Sequence, residues 1–321
     1  MRQFHWKKCL LRLVGWLLAD SCVALIAQDK EPPAKLTEHF EHSEVRVLFN
    51  KEGKDAVPLG DVDRNGTPDH VEDVAKQVWA ARQLFCETLG LADPLQSERY
   101  PGVKWIEVKI RHKDFLNGKN GVAFDESQRS ALPTDPPGTK ALTVTVGLHV
   151  VPMKNITPAH ETFHLIQYGS TYFKNKWFLE GMTRWSEHGL LKEGLGAVKY
   201  DPKGPWPQTA NNQQALFGMG PDAESVLWNP IAKKTDRRGT IPGGKVSKEL
   251  RTLKYSNGQP VLQDLELTGF DVMRDVLQEL GKRDDVAFKE LGYESWTEAN
   301  QTSEKNNPYI YQAVMDVVRQ R

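Results

Sequence analysis

From Leu142 to Val151 the chain is β-branched and almost unbroken in apolar character, and within a few residues the pattern changes to helix. Such a run reads as the strongest strand in the chain. Thr157 is a good N-cap, Pro158 suits the first helical position and Gly169 supplies a stop. A strong strand feeding a capped helix therefore fixes the centre of any fold this chain adopts.

Other elements arrange themselves around that unit. Val45 to Phe49 and Val103 to Ile110 read as strands, the second by alternation of Val103, Trp105, Glu107 and Lys109 with Ile106, Val108 and Ile110. Val71, Val74, Val78, Ala81, Phe85 and Leu89 recur at helical spacing, so one helix is expected from about 69 to 89, ended by Gly90. The stretches Lys113–Lys140 and 201–247 are rich in Gly, Asn, Asp and Pro and read as long loops. Beyond about 260 the apolar residues Val272, Val276, Leu277, Leu280, Ile310, Val314 and Val317 mark helices. The fold class expected is α+β: a small mixed sheet packed on two central helices, with a mostly helical C-terminal part closing a cleft. Leu142–Val151 is expected to be the edge strand that lines that cleft and pairs with an extended peptide.

His160-Glu161-Thr162-Phe163-His164 lies on the central helix. Residues four apart stand one turn apart on one face, so both imidazoles can reach one ion. Zinc suits nitrogen ligands, and a catalytic zinc takes three protein ligands and leaves a position for water. Glu161 leans toward that water and can take its proton as it attacks a carbonyl. The loop Gly169–Trp177 turns the chain back, so Glu180, at the start of a second helix from about Phe178 to Leu191, can face the histidines.

His160-Glu161-x-x-His164 followed by Trp177-Phe178-x-Glu180-Gly181-x-x-x-Trp185-x-Glu187 resembles the gluzincin, or peptidase MA-like, pattern. The resemblance covers about residues 141–191. It implies a zincin-like fold and a secreted zinc metallopeptidase acting on a peptide or protein substrate. Glu180 would be the third zinc ligand, and Glu187 would support the ligands from behind. Neither a Gly-x-Met-Glu-Asn segment nor a thermolysin-type Glu-Ala-x-Ser-Asp is present, so the mode of substrate binding stays open. A gluzincin also uses a Tyr or His donor for the tetrahedral oxyanion, and Tyr168, Tyr172, His188 and Tyr255 are the candidates.

Upstream, Asp61-Val62-Asp63-Arg64-Asn65-Gly66-Thr67-Pro68-Asp69-His70-Val71-Glu72 fits a twelve-residue calcium loop. Asp61, Asp63, Asn65, Asp69 and Glu72 offer side-chain oxygens, Thr67 offers a carbonyl, and Gly66 stands where the turn is sharpest. No helix is evident before the loop, and Pro68 replaces the usual β-branched residue. Calcium is expected there in a structural role; secreted bacterial proteins with the His-Glu-x-x-His motif that resemble this chain often carry such a stretch.

Arg2, Lys7, Lys8 and Arg12 precede a mostly apolar run, Leu13–Ala27, ending in small residues. That layout predicts a signal peptide over residues 1–27, a metallopeptidase lobe over 28–195 and a loop-rich, then helical, lobe over 196–321. Asp20 interrupts the run, and a stable membrane span needs about 20 uninterrupted apolar residues, so none is expected. Cys9 and Cys22 fall in the signal segment, which leaves Cys86 as a lone, buried packing residue. Export without a disulfide framework fits a secreted or periplasmic bacterial protein. Lys and Arg balance Asp and Glu at 42 each, giving no basis for nucleic-acid binding.

Two rival functions remain at this level. One is a non-catalytic, calcium-stabilised surface or binding protein on the same scaffold; the other is a zinc amidase acting on a cell-wall amide. Digestion of a peptide library separates them, because the first cuts nothing and the second only its own polymer.

Overall fold

Val45, Val47, Ile106, Val108, Ile110, Leu142, Val144 and Val146 share one face of a sheet, and none is exposed at all. Each such side chain contributes about 1.5–3 kcal/mol by leaving water. The computed structural model describes residues 34–192, 209–236 and 238–321. The expected signal segment, residues 1–27, lies outside them. Ala34–Arg321 forms one compact unit.

The sheet is mixed. Strands β1 (Glu38–His42), β2 (Val45–Phe49), β3 (Val103–Arg111), β4 (Gly121–Ala123), β5 (Gln128–Arg129) and β6 (Lys140–Gly147) lie in the order β1-β2-β3-β6-β4, with β5 also on β6. β2, β3 and β6 run parallel, while β1, β4 and β5 are antiparallel to their neighbours. Helix α1 (Asp69–Arg82) crosses from β2 to β3 and packs on β1, β2 and helix α2 (Thr157–Ser170). Helix α2 also packs on β4, β6 and α3 (Lys176–Glu187).

Polar residues occupy the opposite sheet face. Arg46 stands beside Glu107 in the parallel register and is 1% exposed. Its guanidinium reaches Glu107 at 3.2 Å and Asp135 at 2.7 Å, and lies 4.1 Å from the centre of the Trp105 ring. A buried guanidinium is tolerable only when it is paired in this way. The 128–139 segment, through Ser130 and Asp135, thus covers the sheet with charge partners rather than apolar side chains.

The remaining helices are α4 (Ala210–Phe217), α5 (Asn229–Thr235), α6 (Lys248–Thr252), α7 (Phe270–Glu290), α8 (Glu298–Gln301) and α9 (Asn307–Arg319). α7 packs on α2, α5 and α9. Val272, Val276, Leu277, Leu280, Ile310, Val314 and Val317 are buried, as their spacing predicts.

Several expectations need correction. β6 is an interior strand, bonded to β3 on one side and to β4 and β5 on the other, so it is not the edge. The edge beside the central helices is β4, inside the stretch read as loop. Its three residues are too few to give a period-2 signal. The helix expected over 69–89 is α-helical only to Arg82, and Gln83–Thr88 widen into a π turn. α2 begins at Thr157, so Thr157 is its first residue and Ile156 its N-cap, and it runs past Gly169 to Ser170; the Thr157 amide is met by Asn155 Oδ1 at 2.9 Å. α3 starts at Lys176 and ends at Glu187, short of Leu191. The stretch 201–247 contains α4 and α5 among its described residues. Trp228, just before α5, ties these described residues to α3: its indole is fully buried and donates to the Trp177 carbonyl at 3.0 Å. Cys86 is buried, and burial pushes its thiol up, which suits packing rather than nucleophilic chemistry.

Candidate metal centre

His160, His164 and Glu180 each offer one donor atom within 4.8 Å of the others. Among the described residues this is the one group of three His, Cys, Asp or Glu side chains so arranged. His160 Nε2 and His164 Nε2 stand 3.1 Å apart. Glu180 Oε2 lies 3.6 Å from the first and 3.7 Å from the second. A tetrahedral site with bonds of about 2.0–2.1 Å has edges of about 3.3–3.4 Å. The three atoms therefore match three corners of such a site to within a few tenths of an ångström.

Hydrogen bonds behind the rings settle which nitrogens face inward. His160 Nδ1 donates to Glu187 Oε1 at 2.7 Å. His164 Nδ1 meets Gln167 Oε1 at 2.9 Å. The Gln167 amide is itself oriented, because its Nε2 donates to the Leu179 carbonyl at 3.0 Å and its Oε1 accepts from Thr183 Oγ1 at 2.8 Å. With both Nδ1 atoms turned to these acceptors, each Nε2 atom faces the common point. Burial lowers the basicity of His160, but hydrogen bonds to Glu180 and Glu187 outweigh it and hold its pKa at about 9. Burial likewise works to raise Glu180, yet its two imidazole partners hold it well below the usual carboxylate range.

Glu161 lines the same cleft as the three donors and lies against β4. It is 7% exposed, and burial raises its affinity for a proton, against the pull of His164 and His160. The Ala123 amide of β4 donates to its carboxylate. Gly121, two residues earlier, leaves no room for a side chain: a Cβ there would stand 2.8 Å from Glu161 Cγ and Oε1.

α3 carries the third donor and much of the packing around it. Glu180 and Glu187 lie two turns apart on the face toward α2, with Thr183 between them. Trp185 is fully buried against Phe85 and Phe163, and its indole donates to the Thr268 carbonyl at 2.9 Å. A Cβ on Gly181 would meet the Trp228 ring at 2.8 Å, so glycine beside Glu180 serves helix packing. The turn between α2 and α3 is held from the C-terminal helices: Asp284 of α7 accepts from the Tyr172 amide at 2.7 Å and Thr171 Oγ1 at 2.8 Å. Asn307 Oδ1 accepts from Asn175 and from the Trp177 indole.

The donors open into a cleft of about 770 Å³, walled by residues 118–123, 154–157, α2 and α3. Among the described residues none of its wall comes from beyond Glu187, so the C-terminal helices brace the site from behind and do not close its other side. Of the four oxyanion candidates, Tyr168 lines the cleft, stacked on His164 with ring centres 5.9 Å apart. Tyr172 stacks on Trp296, His188 pairs with Glu224 at 3.0 Å, and the Tyr255 hydroxyl is bound to Gln77 at 2.7 Å.

The Asp61–Glu72 loop gathers several of its predicted oxygens. Asp61 accepts from the Gly66 amide at 2.9 Å, which holds its carboxyl below the usual range. Asn65 Nδ2 donates to Asp63 Oδ2 at 3.0 Å and to Glu72 Oε1 at 2.6 Å, joining these carboxylates as a cation would. Asp69 instead turns to the Val62 amide at 3.2 Å, in the first turn of α1. Gly66 has φ +91°, as the turn requires of a residue without Cβ.

The supporting pair Gln167 and Thr183 escaped sequence reasoning, although Gln167 stands three residues after His164, at contact spacing on a helix. Gly121 and Ala123 were equally hidden, because only the register of β4 brings them to Glu161. No family model, curated protein or solved structure matches the chain.

Proposed function

We propose that this protein is a zinc metallopeptidase of the gluzincin type, with a zincin-like sheet and helix pair. His160, His164 and Glu180 hold the metal and Glu161 is the general base. The observation that carries this reading is the meeting of three suitable donor atoms within 4.8 Å, in a cleft that also contains the buried Glu161 carboxylate. When bound, the ion would polarise a peptide carbonyl and make water more acidic.

Glu161 takes the proton of the attacking water and passes it to the leaving amine nitrogen. Burial raises its proton affinity, which suits a group that must both accept and return a proton. Glu187 orients His160, while Gln167 and Thr183 orient His164. We assign the oxyanion donor to Tyr168, since it alone of the four candidates lines the cleft. The basic, then apolar, start of the chain supports export to a secreted or periplasmic location. Among the described residues no helix is long and apolar enough to cross a membrane. The Asp61–Glu72 loop is proposed to take a structural calcium. Its donor set is all oxygen, as a hard cation prefers. Binding there requires the Asn65 amide to turn its oxygen inward.

Elemental analysis of the purified protein and of His164→Ala tests the centre: one zinc per chain in the first and none in the second is expected. Glu161→Gln should keep the zinc and lose cleavage of a peptide library. Zinc bound with no peptide cut would leave the amidase reading, and no zinc in either protein the binding-protein reading.

A further inference from the structure

Three carboxylates line the cleft, and each is already committed. Glu180 faces the two imidazoles, Glu187 accepts from His160, and Glu161 is buried against β4. Three cations line it as well, on three separate segments: Lys119 before β4, Lys154 in the turn before α2, and Arg184 on α3. All three are exposed. Arg184 makes a loose contact of 3.5 Å with Glu187, its side chain 49% exposed. The charge that an entering ligand meets first is therefore positive.

Carboxylates and cations cancel in number, so a divalent ion on the three donors leaves the cleft with two positive charges. The N-terminus of α2 adds its dipole on the same wall. Its first amides are occupied, the Thr157 amide by Asn155 and the Ala159 amide by Gln77. An anion entering there would be met by Lys154 rather than by free backbone donors.

From this layout we infer that the cleft selects acidic peptides, with Asp or Glu side chains or a free terminal carboxylate close to the scissile bond. The inference rests on the peptidase reading and adds the substrate class. Charges at an exposed rim act through a few ångströms of water, so each matched pair contributes a factor of about three to five at low salt, less as salt screens it.

The test uses Glu161→Gln loaded with zinc and three fluorescent peptides, identical except for two central positions carrying Glu, Gln or Lys. Fluorescence anisotropy should rank them Glu, Gln, Lys, with about tenfold between the first two at low salt and little difference at high salt. Adding Lys119→Glu and Lys154→Glu together, with zinc content as the check on folding, should reverse the order. Equal binding of the three peptides, no binding of any, or a preference that survives the charge reversal overturns the inference. Turnover by the unaltered protein reads the peptidase reading separately. Acidic preference in binding without cleavage sinks that reading alone, and cleavage indifferent to charge sinks this inference alone.

Discussion

Gly121 and Glu161 pack with no space for a side chain between them: a Cβ on the glycine would stand 2.8 Å from Glu161 Oε1 and 2.7 Å from Thr157 Cγ2. The backbone at Gly121 is not left-handed, so glycine is required for space alone. Gly121→Ala must displace either the three-residue strand β4 or the carboxylate of the general base. The expected result is a stability loss of about 1–3 kcal/mol, a full zinc complement and a fall in kcat. Thermal melts, metal analysis and steady-state kinetics check it together. Unchanged kcat would mean that Glu161 does not need its present position.

Glu187 bonds His160 Nδ1 at 2.7 Å and lies beyond the three donors. Glu187→Ala removes the partner that fixes the ring's orientation and tautomer. Zinc affinity should fall about 10–100-fold, measured by competition with a chromogenic chelator. Affinity equal to that of the parent protein would demote Glu187 to a surface carboxylate.

For the Asp61–Glu72 loop, calcium at about a hundred times its dissociation constant should add about 2.7 kcal/mol of stability. The gain should vanish in Asp63→Ala, whose parent residue holds Asn65 at 3.0 Å. Denaturant melts with calcium and with magnesium decide this. No calcium-dependent shift in the parent protein would show the loop to be a helix-capping turn.

What was legible in the sequence is what local spacing can encode. The two histidines and Glu161 needed only the helical period, and Glu180 and Glu187 needed one short turn and a second helix. β2 falls on its predicted residues, and β3 runs one residue further. β6 ends at Gly147, where the chain turns and the Val150 amide returns to the Gly147 carbonyl at 2.8 Å, leaving Val150 buried outside any strand. Whatever depends on register or distant packing was not legible. The edge position of β4, the contact of Gly121 with Glu161 and the orientation of Gln167 by Leu179 each join residues whose separation carries no period. Arg46 and Glu107 look solvent-facing by alternation, yet both are 1% exposed because the 128–139 segment folds over them.

Asp284 extends the same lesson to pH. It sits on α7, 4% exposed, and holds Thr171 and Tyr172 in the turn that leads to Glu180. Burial raises its pKa from 3.8 to about 6, against the two hydrogen bonds it accepts. A carboxyl that binds its proton more tightly in the folded state stabilises the fold below about pH 4, and that contribution disappears as pH rises through about 6. At about 1.4 kcal/mol per pH unit, the loss is about 3 kcal/mol. Asp284→Asn keeps an oxygen for both donors and never ionises, so this part of the pH dependence should vanish. Relative to the parent protein, the variant should gain stability between pH 4 and pH 6.5, read by denaturant unfolding of both proteins across that range. A stability difference that stays constant with pH would show that Asp284 titrates near its ordinary value and that water reaches the turn.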